Sequence, residues 1–280
     1  MNSEKVKPFL RWAGGKNWLV GLLDELVDID AYKAYYEPFL GGGSVFFELH
    51  PTKKVYLSDS NEDLISTYHT VKTSPNEVWE FLSSYKNTES EYYAIRGNEP
   101  YDPIERAARF IYLNQTSFNG LYRVNREGKY NVPYGWRKNT PYSKEGILAC
   151  SERLQNAELT VGDFAETLKD VRKGDFVYLD PPYVFARDAN GFIQYNKHLF
   201  SFEDQKRLKA SIDKIRDVGA FYVLSNVKHD TIKDIFQKDG DSTIVLSRAS
   251  LIGGKKAYRG KTEEYLFTNI PGAKKYANTR

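Results

Sequence analysis

Cysteine, methionine and histidine are scarce in this 280-residue chain, which has one cysteine, one methionine and four histidines. With Cys150 as the only cysteine, an internal disulfide and a cysteine-based metal cluster are excluded. The histidines show no metal-ligand spacing, so no metal site is predicted. No apolar run reaches the roughly 18 residues of a membrane span, and the N-terminus lacks the apolar core of a signal peptide. These absences predict a soluble, cytoplasmic protein with no metal and no membrane partner.

The tetrapeptide Asp180-Pro181-Pro182-Tyr183 directly follows residues 175–179, an apolar run that is typical of a buried strand. Proline cannot donate a backbone hydrogen bond and holds φ at about −65°, so the chain leaves the sheet rigidly and its carbonyl groups remain free to accept. With the Asp180 carboxylate and the Tyr183 ring, this loop suits a planar group that carries an NH2, such as a nucleobase. A Pro-Pro turn with an incidental aspartate is the alternative for the tetrapeptide taken alone.

A strand, a glycine-rich turn and a helix are predicted in sequence at residues 34–37, at residues 38–44 and from Val45 onward. This order is typical of the ligand crevice of a doubly wound sheet. The next strand ends at Asp59, roughly twenty residues further on, where a carboxylate can bind ribose hydroxyls. A dinucleotide dehydrogenase would share this pattern, but the turn does not match the G-x-G-x-x-G of a pyrophosphate binder. The difference favours a methyl donor that carries no phosphate.

The strand-helix alternation stops between about residue 62 and residue 148. Helical patterns dominate there, at residues 64–72, 76–85 and 104–114. An excursion of this length between two sheet strands is too long for an ordinary loop and predicts an inserted module. We therefore divide the chain into a catalytic domain, residues 1–61 and 149–280, and an inserted domain, residues 62–148.

The later part of the insertion interleaves aromatic residues with arginine and asparagine. Its turn signals, Asn119-Gly120 and Glu127-Gly128, predict a β-hairpin with arms at residues 122–125 and 129–132. Eight basic residues face the single acid Glu127 between residues 106 and 144, and a second basic stretch follows residue 253. A basic run is often only a solvated surface, but two of them beside a candidate nucleobase site favour a polyanionic partner.

Several blocks of the chain together resemble the Dam-type DNA adenine-N6 methyltransferases of the D12 class, in particular their GATC-modifying branch. The blocks are Trp12-Ala-Gly-Gly-Lys16, the glycine turn, Asn-Gly-Leu-x-Arg-x-Asn at residues 119–125 followed by Asn-Val-Pro133, and Asp-Pro-Pro-Tyr. The resemblance covers nearly the whole chain, from Pro8 to about Asn269. It implies an α/β fold with a Rossmann-like class I methyltransferase sheet, mostly parallel with an antiparallel closing strand, and an inserted helical target-recognition domain that bears a β-hairpin.

The resemblance also implies S-adenosylmethionine as the methyl donor. In the family's pattern, Trp12 and Lys16 contact the donor and Asp59 holds its ribose. Asp163 and Phe164 lie at its adenine. The complete set of implied cofactor-binding residues is Trp12, Lys16, Glu37, Phe39, Gly41, Gly43, Ser44, Asp59, Asp163, Phe164 and Asp180.

Double-stranded DNA is the implied partner, bound by a monomer. Carried over by position, Arg123 reads a guanine with bidentate hydrogen bonds, and Phe118 inserts beside the target base. Phe118 stands where some members have tyrosine, and residues 115–117 also depart from the family's pattern, which affects the fine contacts. The implied DNA-binding residues are Phe118, Asn119, Leu121, Arg123, Asn125, Pro133 and Arg137.

The predicted reaction is direct in-line methyl transfer to a flipped adenine, with Asp180, Pro181, Pro182 and Tyr183 as the catalytic residues. A cytosine-N4 methyltransferase is one alternative, although such enzymes more often carry serine where this chain has Asp180. An RNA adenine methyltransferase and a non-catalytic DNA-binding regulator are others. A flap over the flipped base is predicted at residues 184–197, and a phosphate-contacting loop at residues 253–261. The alternative is an ordinary long loop for residues 184–197 and a disordered, solvated hairpin for residues 253–261.

Overall fold

The computed structural model describes residues 6–137, 142–183, 185–187, 193–195, 200–249 and 261–276. The predicted flap therefore lies largely outside the described residues, apart from two short paired strands at residues 185–187 and 193–195. The predicted phosphate-contacting loop also lies outside them, apart from its last residue.

Strands and helices alternate at both ends of the chain, and helices dominate between them. The strands are β1 (Ala34–Glu37), β2 (Lys54–Asp59), β3 (Ala157–Val161), β4 (Phe176–Leu179), β5 (Phe185–Arg187), β6 (Ile193–Tyr195), β7 (Phe221–Val227), β8 (Ser242–Ala249) and β9 (Lys261–Thr268). The helices are α1 (Val20–Leu26), α2 (Ser44–Leu49), α3 (Glu62–Thr73), α4 (Pro75–Ser84), α5 (Glu89–Gly97), α6 (Pro103–Thr116), α7 (Lys144–Leu154), α8 (Phe164–Leu168), α9 (Phe202–Asp217) and α10 (Asp230–Phe236).

Seven of the strands form one mixed sheet in the order β3-β2-β1-β4-β7-β9-β8. The pairs β2–β3, β1–β4 and β4–β7 are parallel, whereas β9 runs antiparallel to both β7 and β8. The predicted Rossmann-like sheet, mostly parallel with an antiparallel closing strand, is confirmed. Chain order reverses between β1 and β4, and in such sheets ligands bind at the carboxyl ends of the strands beside that reversal.

Strands β1 and β4 are buried along their whole length. A parallel strand that is covered on both faces has no polar side, so its sequence is a continuous apolar run rather than an alternation. This explains why Phe176–Leu179 could be predicted as a strand from composition alone. The loop that follows it begins with Asp180, the first polar side chain after that run.

The chain divides into two compact units. One contains the residues up to Val20 together with Leu40–Gly162, and the other contains Gly21–Phe39 together with the residues from Asp163 onward. The first unit holds α2 to α7 with β2 and β3, and the second holds β1, β4 to β9 and α8 to α10. Each unit has its own buried apolar residues.

Helix α6 is the central helix of the first unit, and it packs against α3 and α4. It starts at Pro103, whose missing N–H is harmless at this position, and the Asp102 carboxylate caps it by accepting the N–H groups of Ile104 and Glu105 at 2.9 Å. Ile111 is fully buried on its inner face. The sequence pattern placed this helix correctly within two residues at each end.

Helix α5 was not predicted from the sequence. Tyr92 is its only buried residue, so its apolar positions do not repeat with a helical period. The signal that remains is a cap, because the Thr88 hydroxyl accepts the N–H of Glu91.

Cys150 has a packing role, as predicted. Its side chain is fully buried, its thiol donates to the carbonyl of Lys7 at 3.3 Å, and burial raises the pKa of the thiol to about 12. Among the residues that the structure describes, no helix is long and apolar enough to cross a bilayer. The same residues contain no group of three histidine, cysteine or acidic side chains arranged to hold a metal ion.

Candidate functional site

Asp59, at the end of β2, holds the glycine turn in place. Its carboxylate accepts the N–H of Gly41 and that of Asn61, both at 3.0 Å. Burial raises the pKa of Asp59, and these backbone N–H groups oppose the rise because they stabilise the charged form. Each carboxylate oxygen can accept more than one hydrogen bond, so this half-buried acid can also bind a diol.

The turn itself approaches Trp12 so closely that only glycine fits. Gly41 has a φ of +49°, and a Cβ there would lie 2.7 Å from the Trp12 ring. Tyr68 fixes the other side, since its hydroxyl donates to the Gly41 carbonyl at 3.1 Å. Gly43 has a φ of +66°, and a Cβ there would strike the same Tyr68 hydroxyl at 2.8 Å. At Gly41 and Gly43 the turn therefore presents backbone without side chains next to the Trp12 indole ring.

Lys16 lies beside the glycine turn and is only 2% exposed. Its ammonium group donates to the carbonyl of Gly14 at 3.0 Å, and its backbone N–H donates to the hydroxyl of Ser44 at 3.1 Å. Within the first unit, Gly41 thus contacts both Trp12 and Asp59, and Lys16 contacts Ser44.

In the second unit, an aromatic cluster forms around Phe164, which begins α8. Its ring lies 5.3 Å from that of Phe39 and 5.7 Å from that of Phe200. The Arg207 guanidinium covers the Phe164 ring at 5.0 Å and donates to Asp163 at 2.6 Å. The predicted pair Asp163 and Phe164 is thus clamped by Arg207, a residue that the sequence did not indicate because its partner lies 44 residues away.

The Asp-Pro-Pro-Tyr loop leaves the sheet at the end of β4, also in the second unit. Asp180 and Tyr183 are half-buried, Pro181 is buried and Pro182 is exposed. The Tyr183 hydroxyl donates to the carboxylate of Glu264 at 2.6 Å. Burial raises the pKa of Tyr183, and the nearby charges of Asp180 and Glu264 raise it further, so the phenol stays neutral.

Glu37 occupies the carboxyl end of β1, the strand next to β4 in the second unit. It is 3% exposed and accepts the hydroxyl of Tyr35 at 2.6 Å. Tyr36 pairs with Val177, so Glu37 and Asp180 end neighbouring parallel strands. Two carboxyl groups thus lie at the strand ends where chain order reverses, which is the place that such sheets use for ligands.

The predicted hairpin is present in the first unit, but single bridges hold it rather than continuous strands. Val124 pairs with Tyr130, and Ser117 pairs with Tyr134. The Asn125 side chain closes the turn by accepting the N–H groups of Glu127 and Lys129, both at 3.0 Å. Asn125 therefore has a structural task in the turn in addition to its predicted contact with DNA.

Large apolar side chains are exposed along this segment. Phe118 is 52% exposed, Leu121 36%, Val124 39% and Trp136 69%. Clustered exposed apolar side chains on a monomer usually mark a binding surface. Trp136 was not predicted as a site residue, although a tryptophan between glycine and arginine in a polar stretch is a usable signal.

Arg123 is held by its hairpin neighbour Asn131, which the sequence analysis also missed. Its Nε donates to the Asn131 side-chain oxygen at 2.6 Å, and one terminal nitrogen donates to the Asn131 carbonyl at 3.1 Å. Pro133 is exposed, and its carbonyl accepts the N–H of Phe118 at 2.9 Å. Arg137 is exposed, and its carbonyl accepts from Asn87 at 2.9 Å.

Gly135 is required where the hairpin closes, and we expect Gly135→Ala to disrupt it. A Cβ there would lie 2.3 Å from the backbone oxygen of Ser117 and 2.9 Å from the N of Phe118, neither of which can move like a side chain. We expect about 1–2 kcal/mol of lost stability and weaker DNA binding, with cofactor affinity unchanged. Chemical unfolding and DNA titration measure both effects. Gly146→Ala is the control, because its nearest contact would be 3.4 Å away, and an unchanged Gly135→Ala protein would contradict this view of the hairpin.

Comparison with known proteins gives consistent results. Residues 12–250 match the model of the D12 class N6 adenine-specific DNA methyltransferase family. The chain is 37% identical to the type II methyltransferase M1.LlaDCHI of Lactococcus lactis subsp. cremoris, over 96% of this chain and 97% of that one. It is 38% identical to M.MjaIII of Methanocaldococcus jannaschii, over 79% and 84%, and 31% identical to the DNA adenine methylase of Escherichia coli K12, over 96% and 97%. The chain therefore belongs to the D12 class of N6 adenine-specific DNA methyltransferases, enzymes that take their methyl group from S-adenosylmethionine.

Proposed function

We propose that this enzyme methylates the N6 atom of adenine within 5′-GATC-3′ in duplex DNA, with Asp180, Pro181, Pro182 and Tyr183 as the catalytic residues. The observation that carries the proposal is the position of this loop. It follows β4 directly, beside the strand that ends in Glu37, where the strand order reverses. A backbone rich in acceptors and an aromatic ring at that place suit an exocyclic amine.

The residues around the glycine turn and around Phe164 fit S-adenosylmethionine, which supplies an electrophilic methyl group when it is bound. The bare Gly41 backbone accepts close approach by a ligand, and the Asp59 carboxylate can take ribose hydroxyls. Phe39 is half-buried and can offer a face for adenine, Phe164 supports the Phe39 ring from behind, and Asp163 can accept the adenine amine. The remaining members of the proposed cofactor set are Trp12, Lys16, Glu37, Gly43, Ser44 and Asp180.

Asp180 and the Pro181 carbonyl activate the nucleophile by orienting it. The lone pair of the adenine amine is delocalised into the ring, so the free base is a poor nucleophile. When the carboxylate and the carbonyl accept the two N–H groups, the nitrogen becomes pyramidal and directs its lone pair in line with the methyl group. As positive charge develops on that nitrogen, the Asp180 carboxylate stabilises it and accepts the proton that is lost.

Base flipping is assigned to Tyr183 and Phe118. Extruding a base costs a few kcal/mol, and stacking on the Tyr183 ring offsets part of that cost. Phe118 is half exposed and follows directly on α6, so its ring is available to fill the gap in the duplex. The positive φ of Asn119, +56°, turns the chain sharply behind it.

GATC is proposed from residues 118–137, called here the recognition segment, which hold the proposed DNA contacts. Asn131 holds the Arg123 guanidinium in one orientation while the side chain as a whole stays exposed, which suits bidentate contact with guanine O6 and N7. Leu121 and Pro133 are exposed on the same segment and can contact the other bases of the site. Asn125 and Arg137 complete the proposed DNA contacts.

Arg207→Ala tests the proposed adenine site of the cofactor. Arg207 covers Phe164 and holds Asp163, so we expect its loss to weaken cofactor binding by about three- to tenfold. Stability should change by less than about 1 kcal/mol because the ion pair is exposed. Calorimetric titration measures the affinity. Lys206→Ala is the control, because the neighbouring Lys206 forms an exposed ion pair with Glu203 and, within the described residues, no hydrogen bond, ion pair or ring contact with Asp163 or Phe164. If Arg207→Ala and Lys206→Ala bound the cofactor with equal affinity, Phe164 and Asp163 would not belong to the proposed site.

Incubation with radiolabelled S-adenosylmethionine and duplex oligonucleotides tests the proposed function. The duplexes carry either GATC or a one-base variant, and nucleoside analysis identifies the product. Label in N6-methyladenine from GATC alone is the expected result. Label from the variants as well would reject GATC, and label in N4-methylcytosine would reject the assignment of Asp180 to adenine.

The division into a catalytic domain and an inserted recognition domain at residues 62–148 remains a proposal, as do the action of a monomer on DNA and the cytoplasmic location. The β-hairpin segment with the proposed DNA contacts lies within those bounds. Sedimentation of the protein with and without a GATC duplex measures the number of chains bound.

A further inference from the structure

Glu264 is a buried acid on β9, the strand next to the edge strand β8. Strand β9 is hydrogen-bonded to β7 on one side and β8 on the other, and Glu264 pairs with Val227 and Leu246. Only 1% of the residue is exposed. Burying a carboxylate costs several kcal/mol unless it is hydrogen-bonded. The burial of Glu264 is therefore unfavourable for stability by itself, which suggests a functional role.

Its carboxylate faces the Asp-Pro-Pro-Tyr loop. Oε2 accepts the Tyr183 hydroxyl at 2.6 Å, a length typical of a strong charge-assisted bond, and lies 3.4 Å from the Ser225 hydroxyl. Ser225 belongs to β7, the neighbour of β4, so two elements of one sheet supply the carboxylate and its second partner. Burial and the charges of Asp180 and Glu264 keep the phenol protonated by raising its pKa, so Tyr183 is the donor.

We propose that Glu264 is a positioning residue for methyl transfer, which acts by holding the phenol of Tyr183 and thereby fixing the ring on which the target adenine stacks. The inference rests on the proposed role of Tyr183 in that stacking. A tyrosine ring in a loop turns about two side-chain bonds. A bond from its far end to a strand that is hydrogen-bonded on both sides removes that freedom before the base arrives.

The negative charge of Glu264 beside the phenol hydroxyl also has an electrostatic consequence. The hydroxyl donates to a carboxylate, which shifts electron density into the ring and makes its face more negative. The nitrogen that receives the methyl group becomes positive during transfer, so it is attracted to that face. Glu264 would therefore favour the transition state over the bound substrate.

A double-mutant cycle on Tyr183→Phe and Glu264→Leu tests the inference, with three measurements on each protein. These are the single-turnover rate of methyl transfer at saturating cofactor, the cofactor affinity and the midpoint of urea unfolding. Tyr183→Phe removes the 2.6 Å hydrogen bond to a buried carboxylate and should be destabilised, whereas the double variant removes both partners of that bond and should regain stability. The rate should fall about tenfold or more in either single variant and stay at that level in the double variant.

Two further variants distinguish the loss of the Glu264 charge and of the Tyr183 ring position from a general loss of stability. Glu264→Gln keeps an acceptor for the phenol and should recover part of the rate that Glu264→Leu loses. Glu263→Gln is the matched control, because Glu263 is the neighbouring acid on β9 but its side chain is 43% exposed and pairs with Lys228 at 2.8 Å. Its rate should equal that of the wild type. Cofactor affinity should stay within about threefold in all variants.

A rate that returns together with stability in the double variant would show a purely structural role and overturn the inference. Effects of the two single variants that multiply would also overturn it, because Glu264 would then act independently of Tyr183. Absence of methyl transfer by the wild-type enzyme, with cofactor bound, is a separate result. It would overturn the proposed function itself and the inference along with it.

Discussion

Asp180→Ala should lower the single-turnover rate of methyl transfer by about 10³-fold or more. In the proposed mechanism, the change removes both the acceptor for one amine hydrogen and the negative charge that stabilises the developing cation, and losses of this kind commonly reach that size. DNA affinity should stay nearly normal, because the proposed contacts with phosphates and bases are made by other residues. Rapid-quench kinetics with labelled cofactor and a separate DNA titration measure the two quantities.

Asp180→Asn and Asp239→Ala complete this experiment. Asparagine keeps one acceptor oxygen but has no charge, so its rate should lie between those of the wild type and the alanine variant. Asp239 is an exposed aspartate on the surface of the same unit, and its replacement should leave the rate unchanged. Near-normal turnover by Asp180→Ala would contradict the mechanism.

Arg123→Ala should relax discrimination at one guanine of the recognition site by about 1–3 kcal/mol, which is roughly 5- to 150-fold in relative rate. The physical reason is the loss of two hydrogen bonds to one base edge, which a mismatched base cannot accept. Competition between GATC and single-base variants measures the change. Asn131→Ala should reproduce part of it, because Asn131 holds the guanidinium.

The matched control for this prediction is Arg126→Ala. Arg126 is exposed in the same turn, so its loss removes an equal charge from the same surface. It should weaken binding to all sequences by a similar factor and reduce the salt dependence. If Arg123→Ala did the same, Arg123 would be a phosphate contact and the guanine assignment would be wrong.

Strands β1 and β4 could be predicted from the sequence because they are short, fully buried runs followed by a glycine-rich or a polar turn. The predicted strands at residues 34–37 and 175–179 are both present, with ends that differ by at most one residue. The burial of both faces of a strand also prevented the identification of Glu264 from the sequence. Strand β9 lies between two strands with both faces covered, so Tyr265 and Leu266 are both buried and no alternation shows which acid points inward.

Residues that act through distant partners could not be predicted either. Arg207 lies on a helix rich in charged residues, where a bond to Asp204 three residues earlier is an ordinary surface pair. Its contact with Asp163 depends on how α8 and α9 pack, which no local pattern encodes. The hold of Asn131 on Arg123 likewise depends on the pairing register of the hairpin, which the turn residues alone left open.

Trp12 packs on the Gly41 backbone and stacks on Tyr122, with ring centres 5.5 Å apart. Tyr122 directly precedes Arg123, so the segment proposed to read the DNA sequence and the turn proposed for the cofactor share one pair of rings. Transplanting a foreign recognition segment into this enzyme to change its target therefore requires an aromatic residue at position 122. A graft without one would remove the ring on which the Trp12 indole stacks, and the recipient would need a compensating change at Trp12.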